Sequence, residues 1–160
     1  MQVSYEHIRT RQTGFTLVEV VVAMMIIAIL AAVAFPAYTS YLAKARRADA
    51  RTQLLQVAQY MQSFYAANDS FLQDRAGNAV FGQIPAPLLQ SPADTTKVYS
   101  LAIPDATLTD SSFEIRMAPV TGGLMSTDQC GTFTLTSTGV RGVLPGTLPG
   151  NTTLRDLCWR

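Results

Sequence analysis

The chain has 160 residues, of which 48% are hydrophobic and 14% charged, with a formal net charge of +1. That content is too apolar for a disordered chain, the length suits one domain plus an appendage, and the near-neutral balance argues against a strongly basic nucleic-acid binder or an acid-rich protein. Charge is laid out unevenly: Met1–Ala66 carries six Lys/Arg against three Asp/Glu and Ala67–Arg160 six against eight, so a basic, apolar part precedes a mildly acidic, polar one.

From Phe15 to Phe35 runs FTLVEVVVAMMIIAILAAVAF, with Glu19 as its one charge. About 20 apolar residues at a rise of 1.5 Å cover the roughly 30 Å hydrocarbon core of a bilayer. A buried helix of a soluble protein is the alternative, but such helices are rarely apolar on every face for this long. A cleaved secretory signal is another, and Ala31-Ala32-Val33-Ala34 mimics its cleavage site; its apolar stretch would be shorter, however. A carboxylate at the depth of Glu19 costs about 2.5–3.5 kcal/mol on insertion scales, so Glu19 requires a partner or a proton.

The residues around it are Gly14-Phe15-Thr16-Leu17-Val18-Glu19, followed by the unbroken apolar run. This arrangement resembles the processing and assembly signal of type IV prepilins and the related pseudopilins. The resemblance implies a leader, residues 1–14, removed by a prepilin peptidase that cuts between Gly14 and Phe15 and methylates the new Phe15 amine. It makes Glu19 the assembly glutamate that neutralises the Phe15 amine of a neighbouring subunit. Glycine suits the cut because it lets an extended backbone approach a protease closely. Thr13 stands where relatives often carry a basic residue, with Arg9 and Arg11 close by. The resemblance further implies an inner-membrane precursor with a periplasmic head, later an extracellular pilus. Its implied partners are other pilin subunits, the peptidase–methyltransferase and the inner-membrane assembly machinery. The charge count alone does not give this orientation, since Lys44, Arg46, Arg47 and Arg51 outweigh Arg9 and Arg11.

Past the span, Pro36 removes a backbone donor and is expected to kink the helix. Over 36–66, Leu54, Val57, Ala58, Met61, Phe64 and Tyr65 recur at helical spacing as one apolar face. Tyr38, Tyr41, Leu42, Ala45 and Ala48 are expected to prolong that face toward the membrane. The Lys44–Arg51 cluster reads as a solvated face near lipid headgroups, or near acids such as Asp49 on neighbours, rather than as a nucleic-acid site.

Residues 67–160 form the expected head. Asn68–Val98 reads as a loop region without its own core. Val98–Ile103, Phe113–Met117 and Thr132–Ser137 alternate apolar and polar residues as strands do, and Ser137-Thr138-Gly139 turns into a short fourth strand near Val140–Val143. The fold class is therefore α+β, a long N-terminal helix packed on a four-stranded antiparallel sheet, as in the pilin fold.

Cys130 and Cys158 are the only cysteines. Outside the cytoplasm an even count fits one bridge, with two buried free thiols as the alternative. Such a bridge closes roughly 30 residues and contributes about 3–4 kcal/mol in the chain-entropy model. Asp128-Gln129-Cys130-Gly131-Thr132, Thr138-Gly139-Val140-Arg141-Gly142 and Cys158-Trp159 resemble the head of certain type IV minor pilins, a group with relatives of a competence DNA-uptake receptor. The sole histidine, His7, falls in the leader, and no phosphate loop or dense acidic calcium run is present. The expectation is therefore a non-enzymatic pilus subunit with no cofactor and no metal, of minor-pilin type. The alternatives are a minor pilin whose head binds extracellular DNA through Arg116, Arg141, Arg155 and Arg160, or a type II secretion pseudopilin.

Overall fold

The computed structural model describes residues 14–144 and 152–160; His7, Arg9 and Arg11 of the expected leader lie outside the described residues. The chain divides after Ser40 into two compact units. The helix α1, Leu17–Asn68, begins in the first and ends in the second.

In the first unit, Thr16 caps α1. Its hydroxyl accepts the Glu19 N–H at 3.3 Å, and its carbonyl accepts that of Val20 at 3.3 Å. Threonine with a glutamate three residues on is the capping-box pattern, which satisfies donors that a helix start leaves orphaned. Every residue from Phe15 to Phe35 is exposed, and this stretch is long and apolar enough to cross a membrane. Pro36 lies inside α1, which is uninterrupted there; the Thr39 hydroxyl donates to the Pro36 carbonyl at 3.0 Å.

In the second unit, α1 buries Ala50, Leu54, Val57, Met61 and Phe64. Steps of four and three residues keep these on one stripe. Toward Tyr41 the stripe departs from the expected residues. Tyr41 and Ala45 are exposed, and Tyr38 in the first unit is too; Leu42 and Ala48 are half-buried, and Ala43 and Arg47 join them in facing inward. Stepping back from Ala50 by the same intervals leads to 47 and 43, and an arginine is tolerated at 47 because it has a buried counter-charge.

The sheet has five strands rather than four: β1 Gln90–Ser91, β2 Tyr99–Ala102, β3 Glu114–Pro119, β4 Thr132–Thr136 and β5 Arg141–Leu144. They form an antiparallel meander in sequence order. Leu101, Met117, Phe133 and Val143 stand opposite one another across β2 to β5 and are buried against the α1 stripe. The additional strand is two residues long, too short for an alternation to register, and lies in the stretch read as coreless. That reading also needs correction, because Phe71, Val80 and Ile84 from this stretch are buried in the common core. Phe71 packs edge-on against Phe113 at 4.8 Å and stacks on Tyr65 at 4.5 Å.

Between β4 and β5 the chain reverses at Gly139, whose φ of +82° is a conformation that side-chain-bearing residues rarely adopt. The helix α2, Thr152–Trp159, follows β5. The Cys130–Cys158 disulfide ties α2 to the start of β4. Trp159 packs edge-on against Phe133 at 5.8 Å and its indole N–H donates to the Gly142 carbonyl at 2.9 Å.

Candidate functional site

Two regions carry the residues singled out above. In the first unit, Gly14 and Phe15 precede the capped end of α1 and are exposed. A Cβ added at Gly14 meets nothing within 4 Å, so packing of the described residues does not require glycine there. Glu19, on the first turn, is exposed and makes no ion pair among the described residues.

The second region lies on the head, where α1 meets the disulfide. Arg47 grips Asp128 with two nitrogens: Nε donates to both carboxylate oxygens at 3.1 Å and Nη2 to Oδ2 at 2.6 Å. The pair is largely buried, with 16% of the Arg47 side chain and 7% of the Asp128 side chain exposed. Asp128 also accepts the Cys130 N–H at 3.0 Å, which fixes the loop that delivers this cysteine. One turn along α1, Arg51 Nη1 donates to the Cys158 carbonyl at 2.9 Å and to the Arg160 carbonyl. Adjacent arginines on one helix therefore hold the two ends of the disulfide. Burial lowers the Arg51 pKa from its ordinary value, and the like charges of Arg47 and Arg141 lower it further. Tyr99, fully buried, has its pKa pushed up to about 12, first by burial and then by the nearby Asp128 carboxylate.

Around α2 the surface is cationic. A cleft of about 620 Å³ is lined by Gly139, Val140, Arg141, Arg155, Asp156, Trp159 and Arg160. The Arg141 guanidinium lies over the Trp159 ring, 5.3 Å from its centre. Arg155 pairs with Asp156 at 2.8 Å, which offsets part of its charge. Of the four arginines considered for DNA, three therefore share this cleft. Arg116 does not line it and instead pairs with Glu114 at 2.7 Å. The Lys44–Arg51 stretch also differs from expectation: Arg47 and Arg51 are partly buried structural groups, and Lys44 remains exposed. Nothing in local spacing could reveal the Arg47–Asp128 pair, whose members are 81 residues apart. No group of three or more His, Cys, Asp or Glu side chains suited to a metal occurs among the described residues.

A family model described as type IV minor pilin ComP, DNA uptake sequence receptor, matches residues 36–134, and one for the prokaryotic N-terminal methylation motif matches residues 9–35. Among curated proteins, the chain is similar to the type IV major pilin protein PilA of Myxococcus xanthus (strain DK1622). The two are 35% identical over 61 residues, which is 38% of this chain and 28% of that protein. It is also 51% identical over 41 residues to a fimbrial protein of Moraxella nonliquefaciens, covering 26% of this chain and 27% of that one. These matches span little more than a quarter of each relative's length. Among solved structures, a type IV pilin from Shewanella oneidensis is 28% identical, with 66% of this chain and 93% of that chain covered and a TM-score of 0.40. The non-core minor pilin PilV of Neisseria meningitidis is 16% identical, with 64% and 87% covered and a TM-score of 0.43.

Proposed function

This chain belongs to the ComP family of type IV minor pilins, and we propose that it is a filament subunit assembled through α1 after removal of residues 1–14. The observation that carries this reading is the Gly14–Glu19 motif ahead of a capped helix whose apolar residues, to Phe35, have no protein cover. In the division proposed, 15–35 holds the precursor in the inner membrane, 36–66 continues as an amphipathic helix into the head, and 67–160 completes a periplasmic head. Pro36 has no N–H to offer the Ala32 carbonyl and is the point where the helix can bend. Assembly exchanges lipid for other pilin helices around the same apolar surface. Selection among subunits then rests on packing and on Glu19, which meets the methylated Phe15 amine of a neighbour. The reading assigns the chain no catalytic role.

Glu19→Gln tests it. The substitution keeps the shape and removes the charge, so insertion of the precursor is expected to be unchanged or improved. Incorporation is expected to fall strongly, because leaving one partner of a buried pair uncompensated costs about 3–5 kcal/mol. The measurement is the ratio of mutant to wild-type subunits in sheared filaments against the same ratio in the membrane pool. Equal ratios would remove Glu19 from assembly, and an intact leader in filaments would overturn the pilin reading itself.

A second reading is favoured by one observation: the clustering of Arg141, Arg155 and Arg160 with Trp159 in one cleft. The matched family is described as a DNA uptake sequence receptor, and arginines beside an aromatic ring are the groups that take phosphates and bases. Duplex binding by the full-length protein is then expected to weaken with salt, with a logarithmic slope of about 0.9 per phosphate neutralised. Binding that ignores salt, or survives Arg141→Glu with Arg160→Glu, would dismiss this role.

A further inference from the structure

A second cleft beside α2 shares only Arg160 with the Trp159 cleft. Its volume is about 340 Å³, and Lys44, Arg47, Arg51, Gln129, Leu157 and Arg160 line it, with no acidic side chain among its walls. Arg47 is neutralised by Asp128, whereas Arg51 gives its hydrogen bonds to backbone carbonyls and keeps its net charge. Lys44, Arg46 and Arg160 make no ion pair among the described residues. Among these cations stands one bare aliphatic group, Leu157, 52% exposed. Positive charge around an exposed aliphatic side chain complements an anionic lipid surface, the cations meeting phosphates and the aliphatic group the acyl boundary.

The tether adds a second argument. Eight residues, nine residue steps, separate Phe35, the end of the apolar run, from Lys44. Even fully extended at about 3.6 Å per residue, that linker holds Lys44 within roughly 32 Å of the end of the run. So short a link gives the head a high effective concentration at the bilayer, and weak contacts then suffice. Tyr38 and Tyr41, both exposed within this linker, are of the type enriched at membrane interfaces.

We propose that, before assembly, the Lys44 cleft docks the head on anionic phospholipid headgroups of the membrane that holds its own helix. The inference rests on reading 15–35 as a membrane span. Leaving the bilayer for the filament then requires breaking this contact, and Arg160, shared with the Trp159 cleft, is occupied until it breaks.

The test uses full-length protein in nanodiscs of phosphatidylcholine, alone or with phosphatidylglycerol as one lipid in three, each with a trace of spin-labelled headgroup lipid. Trp159 is the only tryptophan and lines the neighbouring cleft, which shares Arg160 with this one, so its quenching reports a headgroup brought to that shared edge. Quenching is expected with phosphatidylglycerol, not with phosphatidylcholine alone, and is expected to vanish at high salt. Each cation near an anionic surface is worth roughly fivefold, so Lys44→Glu with Arg160→Glu lowers the docked-to-undocked ratio by roughly 25-fold or more. Arg75→Glu, at an exposed site paired only with Asp69, changes nothing. Equal quenching in both lipids, or a wild-type response in the double variant, would overturn the docking. So would a Trp159 signal that answers to added duplex DNA and not to phosphatidylglycerol. Protein that fails to float with the discs at all would overturn the span reading along with the inference, whereas protein that floats unquenched overturns the docking alone.

Discussion

Replacing Asp128 by asparagine probes the joint between α1 and the disulfide. The change keeps an oxygen to accept the Cys130 N–H and one Arg47 N–H, but leaves the guanidinium, 16% exposed, without its counter-charge. Two unit charges about 4 Å apart attract by roughly 4 kcal/mol at an effective dielectric of about 20. Breaking a buried pair from one side typically costs about 3–5 kcal/mol, and a surviving hydrogen bond returns about 1 kcal/mol. The expected loss is thus about 2–4 kcal/mol. Urea unfolding of the full-length protein in detergent, followed by Trp159 fluorescence, reads the head alone, because the chain has no other tryptophan. With an m-value of about 2 kcal/mol per molar urea, the midpoint is expected to fall by roughly 1–2 M. Arg47→Met in the same chain removes the stranded charge, so the double variant is expected to be more stable than Asp128→Asn alone. A midpoint within about 0.3 M of wild type, or strictly additive losses, would refute the reasoning.

Tyr99 should give a distinctive pH response. Its folded pKa, pushed up to about 12, lies above the ordinary value of 10.0, so its contribution is complete below pH 10 and is lost as pH rises through 10 toward 12. Tyr99→Phe should abolish that component and, because the buried hydroxyl has no hydrogen-bond partner among the described residues, leave neutral-pH stability unchanged or higher; parallel alkaline profiles for the two proteins would count against this. Gly142→Ala places a methyl 2.5 Å from the Thr134 hydroxyl opposite it in β4, and is expected to cost about 1–3 kcal/mol in the same urea assay, an unchanged midpoint being the contrary result. Cys130→Ser opens a closure of 28 residues and is expected to lower stability by about 3–4 kcal/mol, which reduction of the wild type should reproduce; a wild type indifferent to reductant would contradict it. Gly14→Val should leave full-length precursor in the membrane, whereas mass spectrometry of the wild type should find a methylated Phe15 as N-terminus, and normal processing of the variant would place the cut elsewhere.

The helix and four of the five strands were legible because their signals are local. Leu54, Val57, Met61 and Phe64 share a face by helical period alone, and Ile115, Met117, Phe133 and Leu135 do so by the period of two. The Gly14–Glu19 motif and the apolar run after it are likewise contiguous, which is why the family resemblance could be stated from residues. What remained hidden had no local period. The two-residue β1 is held by its pairing with β2 rather than by any pattern of its own, and Phe71, Val80 and Ile84 are isolated apolar residues whose burial depends on what folds over them. The same holds for charge. Sequence alone made Arg47 and Arg51 members of a basic cluster on a solvated face. Only the tertiary structure, by bringing Asp128 and the Cys158 carbonyl against α1 from 81 and 107 residues away, made them partly buried supports of the disulfide and left Lys44 exposed. An ion pair is chosen by distance in space and by desolvation, and a linear chain specifies neither until it has folded.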